Sequence, residues 1–258
     1  MKNKKTLALV ESAVMIALAT VLSMLKLAEL PAGGSVTFAS MLPIVLISYR
    51  HGAKYGLAAG TVYGAIQQLL GLRTLSYVTG FASVLAVILL DYVIAYAMLG
   101  LGGVFRRSGM RQSTALLSGA ALASVLRYIC HVISGATVWA GLTIPTSAVL
   151  AGSFAYNATY MVPETLILLL VLFYISEAMD FSSAAFALFL AGSVFLLAAA
   201  VYDVIAICAA LQISGELALS GLSSVPWLRV ALVTLAGTTI FALCAVGTRA
   251  IDRRAQRK

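Results

Sequence analysis

The chain is short of the residues from which enzymes build reaction centres: two histidines, His51 and His131, and three cysteines, Cys130, Cys208 and Cys244, are spread over 258 residues. It has no HExxH helix, no GxSxG elbow and no paired-glutamate pattern, which leaves metal-assisted and acyl-transfer hydrolysis without apparatus. It lacks a GxxxxGK[ST] loop as well, which excludes ATP hydrolysis by that route. An odd cysteine count inside apolar stretches gives no disulfide framework and no CxxC metal knuckle, so the three read as small packing residues. Charge is scarce too. Charged residues are 10% of the chain against 62% hydrophobic, and the mean hydropathy is +1.02. That balance excludes a soluble domain and marks a polytopic membrane protein.

What is present is a series of apolar stretches of the ~20-residue length that spans a bilayer as a helix. They fall near 6–27, 40–49, 54–72, 78–104, 113–139, 147–176, 182–212 and 226–248, which predicts an all-α membrane helical bundle. The second is short. The first is long and no small-x-small cleavage pattern follows it, so it reads as a retained helix and not a secretory signal. The net charge of +8 follows topology and not a nucleic-acid surface. Thirteen cations, from Lys2, Lys4 and Lys5 through Arg50, Lys54, Arg106, Arg107 and Arg111 to Arg249, Arg253, Arg254, Arg257 and Lys258, fall on one side when spans are counted alternately; Lys26, Arg73, Arg127 and Arg229 do not. By the positive-inside rule that side is the cytoplasm and both termini lie there. Pro31-Ala-Gly-Gly34-Ser reads as an outer loop able to act as a lid, and the acidic connection Tyr174-Ile-Ser-Glu-Ala-Met-Asp180 as a module boundary at about 178.

Against this apolar background a few polar groups stand out, and in hydrocarbon such groups persist where they face a cavity, a partner or a substrate. Arg127, His131, Gly135 and Trp139 recur at four-residue steps, each advancing about 400°, so they drift only about 40° per step and form one slowly turning stripe. Trp139 can be an interfacial anchor and His131 a packing residue, but the stripe with its intervening glycine favours a pocket. Asp91 and Tyr92 interrupt the fourth span. An Asp91–Arg127 ion pair is one reading of that carboxylate, a wet cavity lined by both the other. In the sixth span Ser153, Asn157 and Glu164 fall near one face, with Pro163 placed to kink the helix just before Glu164, which can serve the kink or pair with a cation. Ala13 and Ala17 make a small-xxx-small pair on the first helix, suited to close approach of a partner or of a neighbouring helix of the same chain. Together these groups suit a small, flat, cationic, hydrogen-bonding ligand.

The run Gly33-Gly-Ser-Val-Thr-Phe-Ala-Ser-Met-Leu-Pro43, with Arg50-His-Gly, Leu90-Asp-Tyr92, Arg127-Tyr-x-x-His131-x-x-x-Gly135-x-x-x-Trp139 and Tyr156-Asn-x-x-Tyr-Met-x-Pro-Glu164, resembles the thiamine-specific substrate-binding (S) component of energy-coupling factor transporters. The resemblance covers about residues 6–176. It implies a six-helix membrane core over 1–177 that captures thiamine under a lid, with residues 178–258 adding two transmembrane helices and a basic tail. It further implies a multi-pass protein of a prokaryotic cell membrane, with no cofactor, a scaffold subunit that packs on Ala13 and Ala17, and two ATPase subunits. Carried over by position, Asp91, Tyr92, His131, Gly135, Trp139, Ser153 and Asn157 line the thiamine pocket; Arg127 and Tyr77 join them as further candidates. Asp91 replaces the glutamate of some members, and Gly152 stands where others carry a pocket tyrosine. Binding without catalysis is therefore the expected function. The rivals are an S component for another vitamin or precursor, and an ion-coupled secondary transporter using Asp91, Glu164 or Asp203. A membrane enzyme comes after both.

Overall fold

Long apolar runs dictate the architecture. The structure, a computed structural model, describes residues 2–30, 33–141, 144–178, 180, 181, 186, 192, 199, 203 and 227–256. It divides into two compact units, Met1–Phe181 and Ser182–Lys258. In the first unit the elements are α1 (Lys2–Met24), a hairpin of β1 (Lys26–Glu29) and β2 (Ser35–Thr37), α2 (Leu42–His51) and α3 (Ala53–Leu70). A 3-10 segment (Leu72–Tyr77) leads to α4 (Phe81–Val87), a π-helical stretch (Ile88–Ile94), α5 (Ala95–Met98) and two short 3-10 turns, after which come α6 (Gln112–Thr137) and α7 (Ser147–Ala178). Among the described residues of the second unit, α8 runs Trp227–Gln256.

Among the described residues four stretches are long and apolar enough to cross a membrane: Lys4–Met24, Phe81–Arg107, Gln112–Thr137 and Ser147–Glu177. This is a multi-pass helical membrane protein. Their outward faces carry large apolar side chains such as Leu9, Leu85, Val125 and Leu170, which are exposed here and suited to lipid. The expected span at 40–49 is the ten-residue α2, with five further apolar or aromatic residues buried behind its Pro43; Gly52 at φ +91° turns the chain directly into α3. A positive φ is the reason glycine stands there. The expected span at 182–212 lies almost wholly outside the described residues, as does Cys208. The loop read as a lid is flanked by a short antiparallel hairpin. Lys26 pairs with Thr37, Ala28 with Val36 and Glu29 with Ser35, and a Leu30–Gly34 backbone hydrogen bond of 2.7 Å narrows the turn.

Glycine sets the closest approach in the bundle. Gly56, Gly60 and Gly64 recur at four-residue steps on α3, and a Cβ at each would fall 2.4–2.5 Å from the carbonyl oxygens of Gly100, Tyr96 and Tyr92. Backbone therefore lies on backbone, as small residues permit in membranes. The contact clamps α3 to the π stretch and α5, where the widened turn displaces Asp91 and Tyr92 from α-helical register. Such bulges often mark functional sites. On the other wall, α6 and α7 pack antiparallel. Here Gly135 makes room for its neighbour: a Cβ would sit 2.4 Å from the Ser153 hydroxyl. α7 is helical through Pro163, whose ring nitrogen offers no hydrogen to the Thr159 carbonyl.

Candidate functional site

Between the hairpin, α3, the π stretch and the α6–α7 pair lies a cavity of about 320 Å³, within the range of small-molecule sites. Asp91 and Tyr92 contribute one wall, and Arg127, His131, Gly135 and Trp139 another. Ser153, Asn157, Tyr160 and Glu164 come from α7, while Gly33, Gly34, Ser35 and Thr37 of the hairpin region cover it. The four-residue stripe thus faces one space, together with the polar groups of α7.

Asp91 is the hub of the half of the stripe that ends at Trp139. Its Oδ2 accepts from the Ser134 hydroxyl at 2.7 Å and the Trp139 indole N–H at 3.0 Å, and its Oδ1 lies 3.0 Å from His131 Nδ1. A carboxylate only accepts, so Nδ1 carries the hydrogen. His131 Nε2, buried, is left without a protein partner. Asn157 ties α7 to this group: its amide donates to the His131 carbonyl at 3.4 Å and to the Ser153 carbonyl at 2.9 Å, and its Oδ1 accepts from the Tyr160 hydroxyl at 2.6 Å.

The Arg127 half has a different hub: of the two readings of Asp91, the ion pair with Arg127 does not form, and Glu164 is the carboxylate that pairs with a cation. Arg127 Nη1 meets Glu164 Oε2 at 2.9 Å, with side chains only 5% and 2% exposed, and its guanidinium lies 4.4 Å from the centre of the Tyr96 ring. Glu164 Oε1 accepts from the Thr37 hydroxyl at 2.6 Å, which joins β2 to α7. The cause is helix rotation. With Ser153 Oγ bonded to the Val132 carbonyl and Asn157 over His131, the antiparallel register carries Glu164 on to Arg127, while the π stretch turns Asp91 toward His131. Arg127 Nε and the Tyr156 hydroxyl remain buried without partners on this same cavity.

Tyr77 does not join the site. It ends the 3-10 segment, is 55% exposed, and the cavity takes Thr74 from that segment instead. Sequence reasoning did not single out Thr37, Gln67, Thr74, Tyr96, Tyr160 or Ser134 as site residues. The glycine spacing on α3 was the available signal for Tyr96, because a GxxxGxxxG face must lie on another backbone. Ala13 and Ala17 are exposed on α1, away from the cavity, whereas Ala19 is fully buried.

Near the middle of α1, about 20 Å along the helix from Met24 at 1.5 Å per residue, a second carboxylate–histidine group ties that helix to the end of α2. Glu11 Oε1 and Oε2 receive Arg50 Nη2 and Nε at 2.8 Å each, and His51 Nε2 lies 2.6 Å from Oε2. Arg50 also donates to the Phe181 carbonyl, and Arg106 to that of Arg50.

A solved structure of ThiT from Listeria monocytogenes shares the fold with a TM-score of 0.54 at 20% identity, covering 67% of this chain and 95% of that one. The thiamine transporter ThiT of Bacillus subtilis (strain 168) is 36% identical over 182 residues, 66% of this chain and 91% of its own. The family described as Thiamine transporter protein (Thia_YuaJ) matches residues 9–184, which takes in every residue of the cavity, and the chain belongs to that family.

Proposed function

We propose that the protein is the thiamine-binding membrane subunit, or S component, of an energy-coupling factor transporter, and that it binds its vitamin in the cavity bounded by Asp91, His131, Trp139 and Asn157. The observation that carries the reading is that cavity: an indole wall, a buried carboxylate and unpartnered donors and acceptors converge on it within a thiamine transporter family fold. Transport, and not catalysis, is the activity its relatives are named for. The core over 1–177 does the binding, and 178–258 is an addition to it. Energy comes from a scaffold subunit and two ATPase subunits, with the exposed Ala13–Ala17 face of α1 as the docking surface. The protein sits in a prokaryotic cell membrane with both termini in the cytoplasm, since the cations gather on that side.

Thiamine titration of purified protein, followed by tryptophan fluorescence, tests this. With only Trp139 and Trp227 in the chain, a saturable change is expected, and it should disappear in Trp139→Phe. A parent protein without a saturable response would refute the ligand. Uptake into proteoliposomes in the absence of ATPase subunits would favour an ion-coupled transporter instead.

A further inference from the structure

We infer that Arg50 couples α1 to the point where the chain leaves the first unit: its guanidinium grips Glu11 with two nitrogens and the backbone of Phe181 with the third, so this exit is held only while the Glu11–Arg50 pair is closed. Phe181 is the last residue of that unit and lies beyond the end of α7 at Ala178, where no helical ladder serves its backbone. Its ring is nonetheless fully buried. Its N–H donates to Gln112 Oε1 at 3.1 Å, and its carbonyl accepts from Arg50 Nη1. Buried backbone groups need partners, and here both come from side chains of other helices, α6 and α2. Gln112 also holds the Ser176 carbonyl in the last turn of α7, at 3.2 Å.

Arg50 is suited to this task by its shape. Nε and Nη2 meet the two oxygens of Glu11 at 2.8 Å each, which leaves Nη1 for Phe181. A guanidinium is a rigid planar fork, so the carboxylate that takes one edge sets the direction of the remaining nitrogen. The side chains of Arg50 and Glu11 are only 8% and 6% exposed, and water competes little there. The neighbouring pair of Arg111 with Glu177 is different: it is 73% and 37% exposed, and such surface pairs hold little. The firm hold on the exit therefore runs through α1, two residues from Ala13. With the Ala13–Ala17 face as a docking surface, a partner that moves α1 also acts on the exit toward 182–258; that extension alone rests on the proposed function.

Hydrogen exchange of the full-length protein in detergent, read at the Phe181 amide, tests the coupling and needs neither thiamine nor a scaffold subunit. In the parent that amide should exchange at least about a hundredfold more slowly than an open chain. Glu11→Gln, which alters only α1, should speed it about tenfold or more while amides in the middle of α6 keep their rates. Arg50→Lys, which keeps a charge beside Glu11 but has one nitrogen in place of three, should do the same. Arg111→Gln, which removes only the exposed pair, should leave the rate within about twofold. A parent amide exchanging at open-chain rates overturns the inference without any variant. So does a Phe181 amide unmoved by Glu11→Gln or by Arg50→Lys, and so do rates that rise equally throughout α6 in both variants, which would mark general loss of structure in place of a specific coupling. If the parent binds no thiamine, the functional reading fails while these exchange rates still decide the role of Arg50.

Discussion

Both histidines of this chain lie against a carboxylate largely withdrawn from solvent, and the two groups are used in opposite ways. Near the middle of α1, Glu11 is engaged through both oxygens by Arg50 and His51, and none of the three lines the cavity. Beneath the hairpin, Asp91 is engaged as fully, yet His131 keeps one nitrogen free on a cavity. The first arrangement compensates charge within the protein and ties α1 to the end of α2. The second transmits the order of a carboxylate to an atom that can meet something else. The difference teaches that a buried polar cluster in a membrane protein is read by what it leaves unpartnered, not by its composition.

The largest effect should come from breaking the closed group. Glu11→Gln removes the carboxylate that Arg50 and His51 share, and loss of one partner of a buried pair costs about 3–5 kcal/mol. Thermal unfolding in detergent should register that loss, while the affinity of the remaining folded protein for thiamine stays within about twofold, since RT ln 2 is well below one hydrogen bond. Replacing each histidine with asparagine sharpens the contrast. His131→Asn should weaken thiamine binding by about tenfold or more, whereas His51→Asn should lower the melting temperature and leave titration curves superimposable. Equal losses of affinity in both variants would erase the distinction. The smallest effect is expected for Thr37→Val, which removes the hydroxyl bond to Glu164 but keeps Arg127 paired. About 1 kcal/mol of stability should go, and hydrogen exchange should rise in β2 before it rises in α7.

The helices were legible because hydrophobic length alone specifies spans, and the Arg127–Trp139 stripe because four-residue spacing keeps residues on one face. Partner choice was less legible. Arg127 could be matched to Asp91 on charge, but which carboxylate meets it depends on the rotation of α7 against α6 and on the π stretch, neither of which hydropathy encodes. Ser134, only three residues beyond His131 in an apolar stretch, looks like a packing hydroxyl until Asp91 is placed beside it. Tyr77 failed for a related reason: its segment is short and irregular, with no periodicity to say which side chain turns inward.

The glycine steps of α3 carry a mechanical consequence. Side-chain layers between helices can slide and repack, but where Gly56, Gly60 and Gly64 bring backbone against backbone there is no such cushion. The wall bearing Asp91 and Tyr92 is thereby a single double-thickness plank, stiff across its depth. Widening of the cavity for entry or exit falls to the opposite, thinner cover, where Gly34 rests on the Tyr160 ring and one hydroxyl, that of Thr37, ties the hairpin to Glu164.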